Sequence, residues 1–346
     1  MAELELQENV ALAPLTTFGV GGAARWFVEA GGEQELVMAL DWAQQRGLRQ
    51  FVLGGGSNLL VRDEGFDGLV VRMALAGVED RGGGVFSVAA GENWDRFVDR
   101  AVAADCAGIE CMAGIPGSVG GTPVQNVGAY GQEVGNTIVE VRALDRTTGQ
   151  VEILGRDACR FRYRESRFNT DEPGRFVVTG VVFGLTPGGR PQIGYADLKK
   201  RFESGGRAPS LVEVAAGVRE IRRGKGMLLV EGDADTRSAG SFFKNPIVEA
   251  ALLGRVAGAA GVAEDAVPHW PAGEGRIKLA AAWLLERAGF VKGFADGAVG
   301  ISSRHTLALI NRGGATFADV ERLEGRIRAG VEGKFGVRLV REPVVL

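Results

Sequence analysis

Three features of this chain predict an α+β fold in more than one domain. Residues 1–185 read as helices mixed with many short strands, and the remainder reads as a separate α+β unit. The length of 346 residues suits about two or three domains, and an apolar content of 45% suffices for a sizeable core. Two glycine-rich stretches, 54–58 and 113–134, interrupt the periodic segments but are too apolar for flexible linkers.

The elements follow in order. Residues 19–24 fit G-x-G-x-x-A, but the continuation from Arg25 to Ala30 reads as a strand. A dinucleotide fingerprint must open a helix instead, so that reading is rejected. Leu36, Leu40 and Ala43 predict an amphipathic helix over 33–46 with Gly47 past its end. Residues 51–61 read as strand–turn–strand, and 68–72 and 85–90 as further strands. Asn93 is placed to cap a helix whose apolar stripe is Trp94, Phe97, Val98, Ala101 and Val102. After the second glycine-rich stretch, 137–145 and 150–154 form strands around a turn at 147–149.

The chain then connects through 193–200 and 201–207. Ser210 and Glu213 form a capping box that opens a helix reaching about Arg223. A linker is expected over 224–239, a helix over 277–288 ending at Gly289, a strand over 301–310, and a final strand over 337–346. Thr316 and Asp319 cap a helix with Phe317, Val320, Leu323, Ile327 and Val331 on one face. Trp283 is read as core.

Composition excludes several classes. The net charge is −3 with both signs interspersed, which gives no footprint for nucleic acid. Three cysteines without C-x-x-C spacing suggest neither a disulfide framework nor a zinc site, and reduced, partly buried thiols are expected. His269 and His305 lack metal-ligand spacing, so no metal is expected. The N-terminus lacks a signal-peptide pattern and no run reaches the length of a membrane span, so a soluble cytoplasmic protein is expected.

The glycine-rich stretches carry the strongest chemical signal. A long, irregular, apolar backbone leaves N–H groups without ladder partners and away from water. An oxygen-rich ligand such as phosphate answers that need, and glycine lets the backbone come close to it. A packed loop bonded to itself is the competing reading. Two such loops about 50 residues apart suit a diphosphate held from two sides.

Three other positions stand out. Ser241, in GSFFKNP, follows a glycine and precedes two phenylalanines that can pin it, so it is either structural or a proton donor. Arg164 lies where Phe161 and Tyr163 alternate with arginines; it is either part of a solvated face or inward and in need of a partner. Glu342 either pairs with Arg341 on the surface or arrives near the site on a docked C-terminal strand.

Together, TTFGVGG at 16–22, GGGSNLL at 54–60, IPGSVGG…QNVGAYG at 115–131, YRES at 163–166, GSFFKNP at 240–246, AGF at 288–290 and REPVV at 341–345 resemble the UDP-N-acetylenolpyruvoylglucosamine reductase (MurB) family. The resemblance covers nearly the whole chain. It extends to the subgroup in which a tyrosine on a loop covers the substrate. It implies an FAD-binding fold of the vanillyl-alcohol-oxidase type with a C-terminal α+β substrate domain. The expected parts are 1–75, joined by the strand 337–346, then 76–224, then 225–336.

The resemblance also implies an activity: reduction of the enolpyruvyl ether of UDP-N-acetylglucosamine-enolpyruvate to UDP-N-acetylmuramate, with NADPH as hydride donor and non-covalent FAD. It implies Ser241 as proton donor to carbon, with Arg164 and Glu342 stabilising an enolate-like intermediate. FAD is expected at Gly54, Gly55, Gly56, Ser57, Asn58, Leu59, Ile115, Pro116, Gly117, Ser118, Gly121, Asn126, Gly128 and Ala129. The substrate is expected at Tyr130, Tyr195, Lys225 and Asn245, and a monomer is expected. Another non-covalent FAD oxidase or dehydrogenase of the same fold, and a nucleotide-sugar binding protein without redox chemistry, are the alternatives.

Overall fold

The computed structural model of this chain describes residues 4–203 and 207–346. The first three residues, and 204–206 of the connection expected over 201–207, lie outside that description. Two units are formed: Met1–Val10, Ala24–Gly56 and Asp67–Arg223 make the first, and Ala11–Ala23, Ser57–Phe66 and Gly224–Leu346 the second. The segments 11–23 and 57–66, expected in an N-terminal part, are thus grouped with the C-terminal part, and the expected 75/76 boundary lies inside the first unit.

The first unit is built on two sheets. One orders Gln7–Ala11, Ala23–Ala30, Phe66–Met73 and Arg49–Leu53, the last two running parallel. Helix Glu33–Gln45 buries Leu36, Ala39, Leu40 and Ala43, and Gly47 follows it at φ +64°. The other sheet orders Gln150–Gly155, Ile138–Asp145, Phe176–Gly184, Val85–Ala89 and Val78–Asp80, all antiparallel. Its central strand, FVVTGVVFG, is buried over nearly its whole length, as its almost unbroken apolar run requires.

Helix Trp94–Ala103 buries the five residues of its stripe, and the Asn93 side chain accepts the Arg96 N–H at 3.0 Å. Phe97 lies 4.9 Å from Phe183 of the central strand, ring centre to ring centre. Helix Leu211–Gly224 opens with the expected capping box: the Ser210 N–H donates to Glu213 at 2.8 Å, and the Glu213 N–H donates back to the Ser210 hydroxyl. The nearby Arg207 and those bonds hold the Glu213 carboxyl down at about 2.

The second unit has short strands around a long helix. Helix Phe317–Phe335 carries the expected capping box and buries all five residues of its apolar face. Asp63 adds to that cap by accepting the N–H groups of Phe317 and Ala318 at 2.7 and 3.0 Å. The glycines of the rejected fingerprint serve packing: a Cβ on Gly21 would sit 2.3 Å from the Val61 carbonyl oxygen, and one on Gly22 would sit 2.4 Å from that of Asp63.

Four expectations are corrected. The runs within 51–61 do not pair with each other, because Arg49–Leu53 joins the first sheet while Leu59–Leu60 pairs in parallel with Val344–Val345. The helix expected over 277–288 is a strand, Arg276–Leu279, then a helix, Ala281–Arg287; the strand pairs on both sides, which overrides helical propensity. The strand expected over 301–310 is two strands, Val299–Ile301 and Leu309–Asn311, separated by a loop. The final strand is only Val344–Val345, plus one bridge between Arg341 and Phe243. Trp283 is half-buried and packs on Phe335.

Thr316→Ala should lower the unfolding free energy by about 1 kcal/mol, read as a shift in the urea midpoint. An unchanged midpoint would mean that Asp63 alone satisfies the first turn.

Candidate active site

In the first unit the two glycine-rich loops lie against each other. A Cβ on Gly54 would sit 2.8 Å from the Ser118 hydroxyl, and one on Gly55 would sit 2.5 Å from the Gly117 Cα. At Gly55 the neighbours are backbone, so no side chain larger than hydrogen fits; at Gly54 the Ser118 hydroxyl would have to turn away. Gly56 and Gly117 adopt φ of +63° and +130°, backbone that other residues rarely enter. Among the described residues, the N–H groups of Gly55, Gly56, Gly117 and Ser118 have no protein acceptor. Gly56 and Ser118 are buried. Backbone donors gathered from two touching loops in this way form an anion-binding concavity.

Other parts of the second loop are bonded to the protein. Ile115 N–H reaches the Met112 carbonyl, and the N–H groups of Val119 and Gly120 donate to Glu92 and Ala90 at 2.8 Å each. The Gly121 N–H turns back to the Ser118 carbonyl. Pro116, between Ile115 and Gly117, is half-buried.

Beyond it, Gly128–Ala129 pairs with Gln132–Glu133 in a hairpin whose two-residue tip is Tyr130–Gly131, at φ +49° and +89°. Two positive φ values at the tip are what a tight hairpin demands, and glycine or asparagine usually supplies them. A tyrosine held there is a conformational cost of the kind found at functional sites. Asn126, buried at φ +43°, donates to Glu133 and the Arg162 carbonyl and accepts the Gly135 N–H. Its side chain therefore braces the hairpin.

Arg164 is not on an alternating strand. Arg162 and Glu165 bridge across a tight turn in which Arg164 takes φ +58°, and its Nη2 donates to the Gly128 carbonyl at 2.9 Å. Ser166 of the same motif is fully buried and donates to the Val124 carbonyl at 2.5 Å. The Tyr195 ring meets the Tyr130 ring edge-on at 5.3 Å, while Tyr195 itself is 47% exposed. Arg164, Tyr130 and Tyr195 are thus gathered around one hairpin.

In the second unit, Ser241 follows Gly240 at φ +74° and precedes Phe242 and Phe243, each 1% exposed. The Phe242 N–H donates to Leu307 and the Lys244 N–H to Val340. The Ser241 hydroxyl is half-buried and has no hydrogen-bond partner among the described residues. The Glu342 N–H donates to the Phe242 carbonyl at 2.9 Å, which places Glu342 beside Ser241. Asn58 donates to the Glu342 carbonyl at 3.4 Å and accepts the Val344 N–H at 3.0 Å. Arg341 pairs with Glu324 at 3.0 Å, so the C-terminal segment is docked rather than self-paired.

Thr17, from the 16–22 motif, donates to the carbonyls of Ser57 and Ser238 and ties the Ser57–Asn58–Leu59 turn to the segment before Ser241. Leu59 is buried and its strand pairs with the C-terminus. Asn245 accepts the Ala281 N–H at 2.9 Å. Lys225 precedes Gly226, whose φ is +65° and whose missing Cβ makes room for Arg304; Arg304 is paired with Asp233 and Asp235.

All three cysteines are buried and free. Burial pushes the Cys159 thiol up to about 12 and Cys111 well above its ordinary value, so both are protonated and inert near neutrality. Among the described residues no cluster suits a metal ion, and no helix is long and apolar enough to cross a membrane.

Residues 24–155 match the family model of the FAD binding domain, and 232–346 match the C-terminal domain of UDP-N-acetylenolpyruvoylglucosamine reductase. The reductase of that name from Streptomyces coelicolor is 48% identical, over 98% of this chain and 89% of its own. This chain belongs to the UDP-N-acetylenolpyruvoylglucosamine reductase family. The member from Thermobifida fusca is 46% identical over 98% of this chain and 97% of its own. The crystal structure of the Thermus caldophilus member aligns with a TM-score of 0.69 at 26% identity, over 99% of both chains. The α+β class and the FAD-binding fold hold, and the chain is an FAD-dependent oxidoreductase. Its four bare N–H groups suit the diphosphate of that cofactor.

Sequence reasoning missed Thr17, although it lies in a quoted motif.

Gly55→Val should purify with little or no flavin while keeping its far-ultraviolet circular dichroism, because Gly55 is exposed but has no room for a Cβ beside Gly117. Full flavin occupancy would remove the first loop from the cradle.

Proposed function

We propose that this chain reduces the enolpyruvyl ether of UDP-N-acetylglucosamine-enolpyruvate to the lactyl ether of UDP-N-acetylmuramate, a step in peptidoglycan precursor synthesis, with NADPH as hydride donor. Family membership supplies the reaction. The observation that carries it to this chain is the pair of touching glycine loops with unaccepted N–H groups. Gly54, Gly55, Gly56, Ser57, Asn58 and Leu59, with Ile115, Pro116, Gly117, Ser118, Gly121, Asn126, Gly128 and Ala129, hold the FAD. When bound, FAD supplies the hydride that no side chain carries. Both histidines, His269 and His305, lie beyond residue 260, far along the chain from either glycine-rich loop, which supports non-covalent attachment.

Ser241 gives the proton to the carbon beside the substrate carboxylate. Its neighbours pin its backbone, which suits a hydroxyl that must meet one carbon atom. Arg164 and Glu342 stabilise the charge that develops on the carboxylate side before that proton arrives. Tyr130, Tyr195, Lys225 and Asn245 hold the nucleotide and the carboxylate region, with Tyr195 covering the substrate. The proposed divisions are two FAD-binding parts, 1–75 and 76–224, a reading that the two separate sheets of the first unit support, and a substrate domain, 225–336. The protein works in the cytoplasm as a monomer.

Rapid-mixing absorbance of the flavin separates the two half-reactions. Ser241→Ala should be reduced by NADPH at the wild-type rate and reoxidised by the enolpyruvyl nucleotide about a hundred- to ten-thousand-fold more slowly. Near wild-type reoxidation would exclude Ser241 as the acid.

Arg164→Ala and Glu342→Gln should lower kcat far more than they raise KM. A change confined to KM would assign these two side chains to substrate anchoring.

A further inference from the structure

The second glycine loop is fixed at its far end by main-chain bonds and at its near end by side chains. At the near end, Gly114 is buried with φ +72°. Its N–H donates to Asp95 Oδ1 at 2.6 Å, and its carbonyl accepts from Arg222 Nε at 3.0 Å. Asp95 is itself held by Arg219, whose Nη2 lies 2.6 Å from Oδ1 and whose Nε lies 3.1 Å from Oδ2. Arg219 and Arg222 are three apart on helix Leu211–Gly224, so both project from one face. Both polar groups of a single glycine are therefore gripped from that helix, one directly and one through a carboxylate.

Arg222 is 9% exposed, and burial pushes its guanidinium below its ordinary value, an effect that Tyr130 and Asp95 oppose. Burying a cation is costly unless it is well bonded. Through Nε the buried guanidinium makes a charge-assisted bond to a main-chain carbonyl of the loop that presents Gly117 and Ser118, and so fixes that carbonyl. At the other end, Trp94 N–H holds the Gly117 carbonyl at 3.1 Å, one residue before Asp95 on the same helix turn. Between these anchors only Ile115 and Pro116 intervene, and the bare N–H groups of Gly117 and Ser118 come next.

We infer that Asp95, Arg219 and Arg222 are positioning residues for the FAD diphosphate: they clamp Gly114 so that the Gly117 and Ser118 N–H groups stay aimed at it before it binds. This rests on the FAD assignment above. Preorganised donors hold a ligand more tightly because no ordering remains to be done on binding.

The test is the first-order rate at which the full-length holoprotein releases FAD on dilution, followed by recovery of flavin fluorescence. Thermal unfolding is followed in parallel by circular dichroism. Asp95→Asn, Arg219→Met and Arg222→Met should each speed release about ten- to a hundredfold, the scale of one charge-assisted hydrogen bond. Asp95→Asn combined with Arg219→Met should be less than multiplicative, because the two residues act through one N–H.

Arg175→Met serves as a control. It breaks a pair of the same kind, 2.6 Å from buried Asp145, and neither residue bonds to the glycine loops. It should lower the melting temperature without altering release. Should Arg222→Met fail to fold, Arg222→Lys keeps the charge, loses the Nε donor, and should show the same faster release. Unchanged release in folded clamp variants, or faster release in the control at equal loss of stability, would overturn the clamp. A wild-type protein that carries no releasable FAD would instead overturn the cofactor assignment.

Discussion

A peptide N–H without a partner needs an acceptor, and the first unit is arranged around a few that find none among the described residues. Gly55, Gly56, Gly117 and Ser118 come together because their loops touch where only hydrogen fits between them. Holding such donors bare and in register costs free energy, so the surroundings must supply rigidity. Helix Trp94–Ala103 contributes Asn93, Trp94 and Asp95 at its start, while its apolar stripe is locked against the central strand. Helix Leu211–Gly224 contributes the arginines that grip Gly114. Sheet, helices and loop are thus one chain of support ending in an anion-binding concavity.

The same economy governs the side chains proposed to touch substrate. Tyr130 and Arg164 both sit at positive φ, where neither residue type settles by preference. The hairpin and the tight turn hold them there, and Arg164 is bonded to the hairpin that carries Tyr130. Ser241 is held differently. A left-handed glycine precedes it, two buried phenylalanines follow, and main-chain bonds to 307 and 340 fix its neighbours. Its hydroxyl is left half-buried, which suits a group that must give a proton rather than hold a bond.

The sequence by itself determined a good deal. Helices with a continuous apolar stripe and a cap, such as 94–103 and 317–335, were legible because their stabilising contacts lie three or four residues apart. So was the bonding problem at the glycine loops, answered either by a ligand or by a packed loop bonded to itself, because glycine density combined with apolar neighbours poses it locally. The motifs carried the family. What only the tertiary structure decided involves partners distant in the chain. Arg276–Leu279 is a strand because strands on both sides bond to it, and Leu59–Leu60 pairs with residues almost three hundred positions away. That Glu342 lies beside Ser241, that Arg164 bonds the Gly128 carbonyl, and that Arg222 is buried against Gly114 are also long-range facts. Periodicity and capping report the energy of a segment with itself. They carry no information about which distant backbone group will meet a given side chain, and those meetings shape the site.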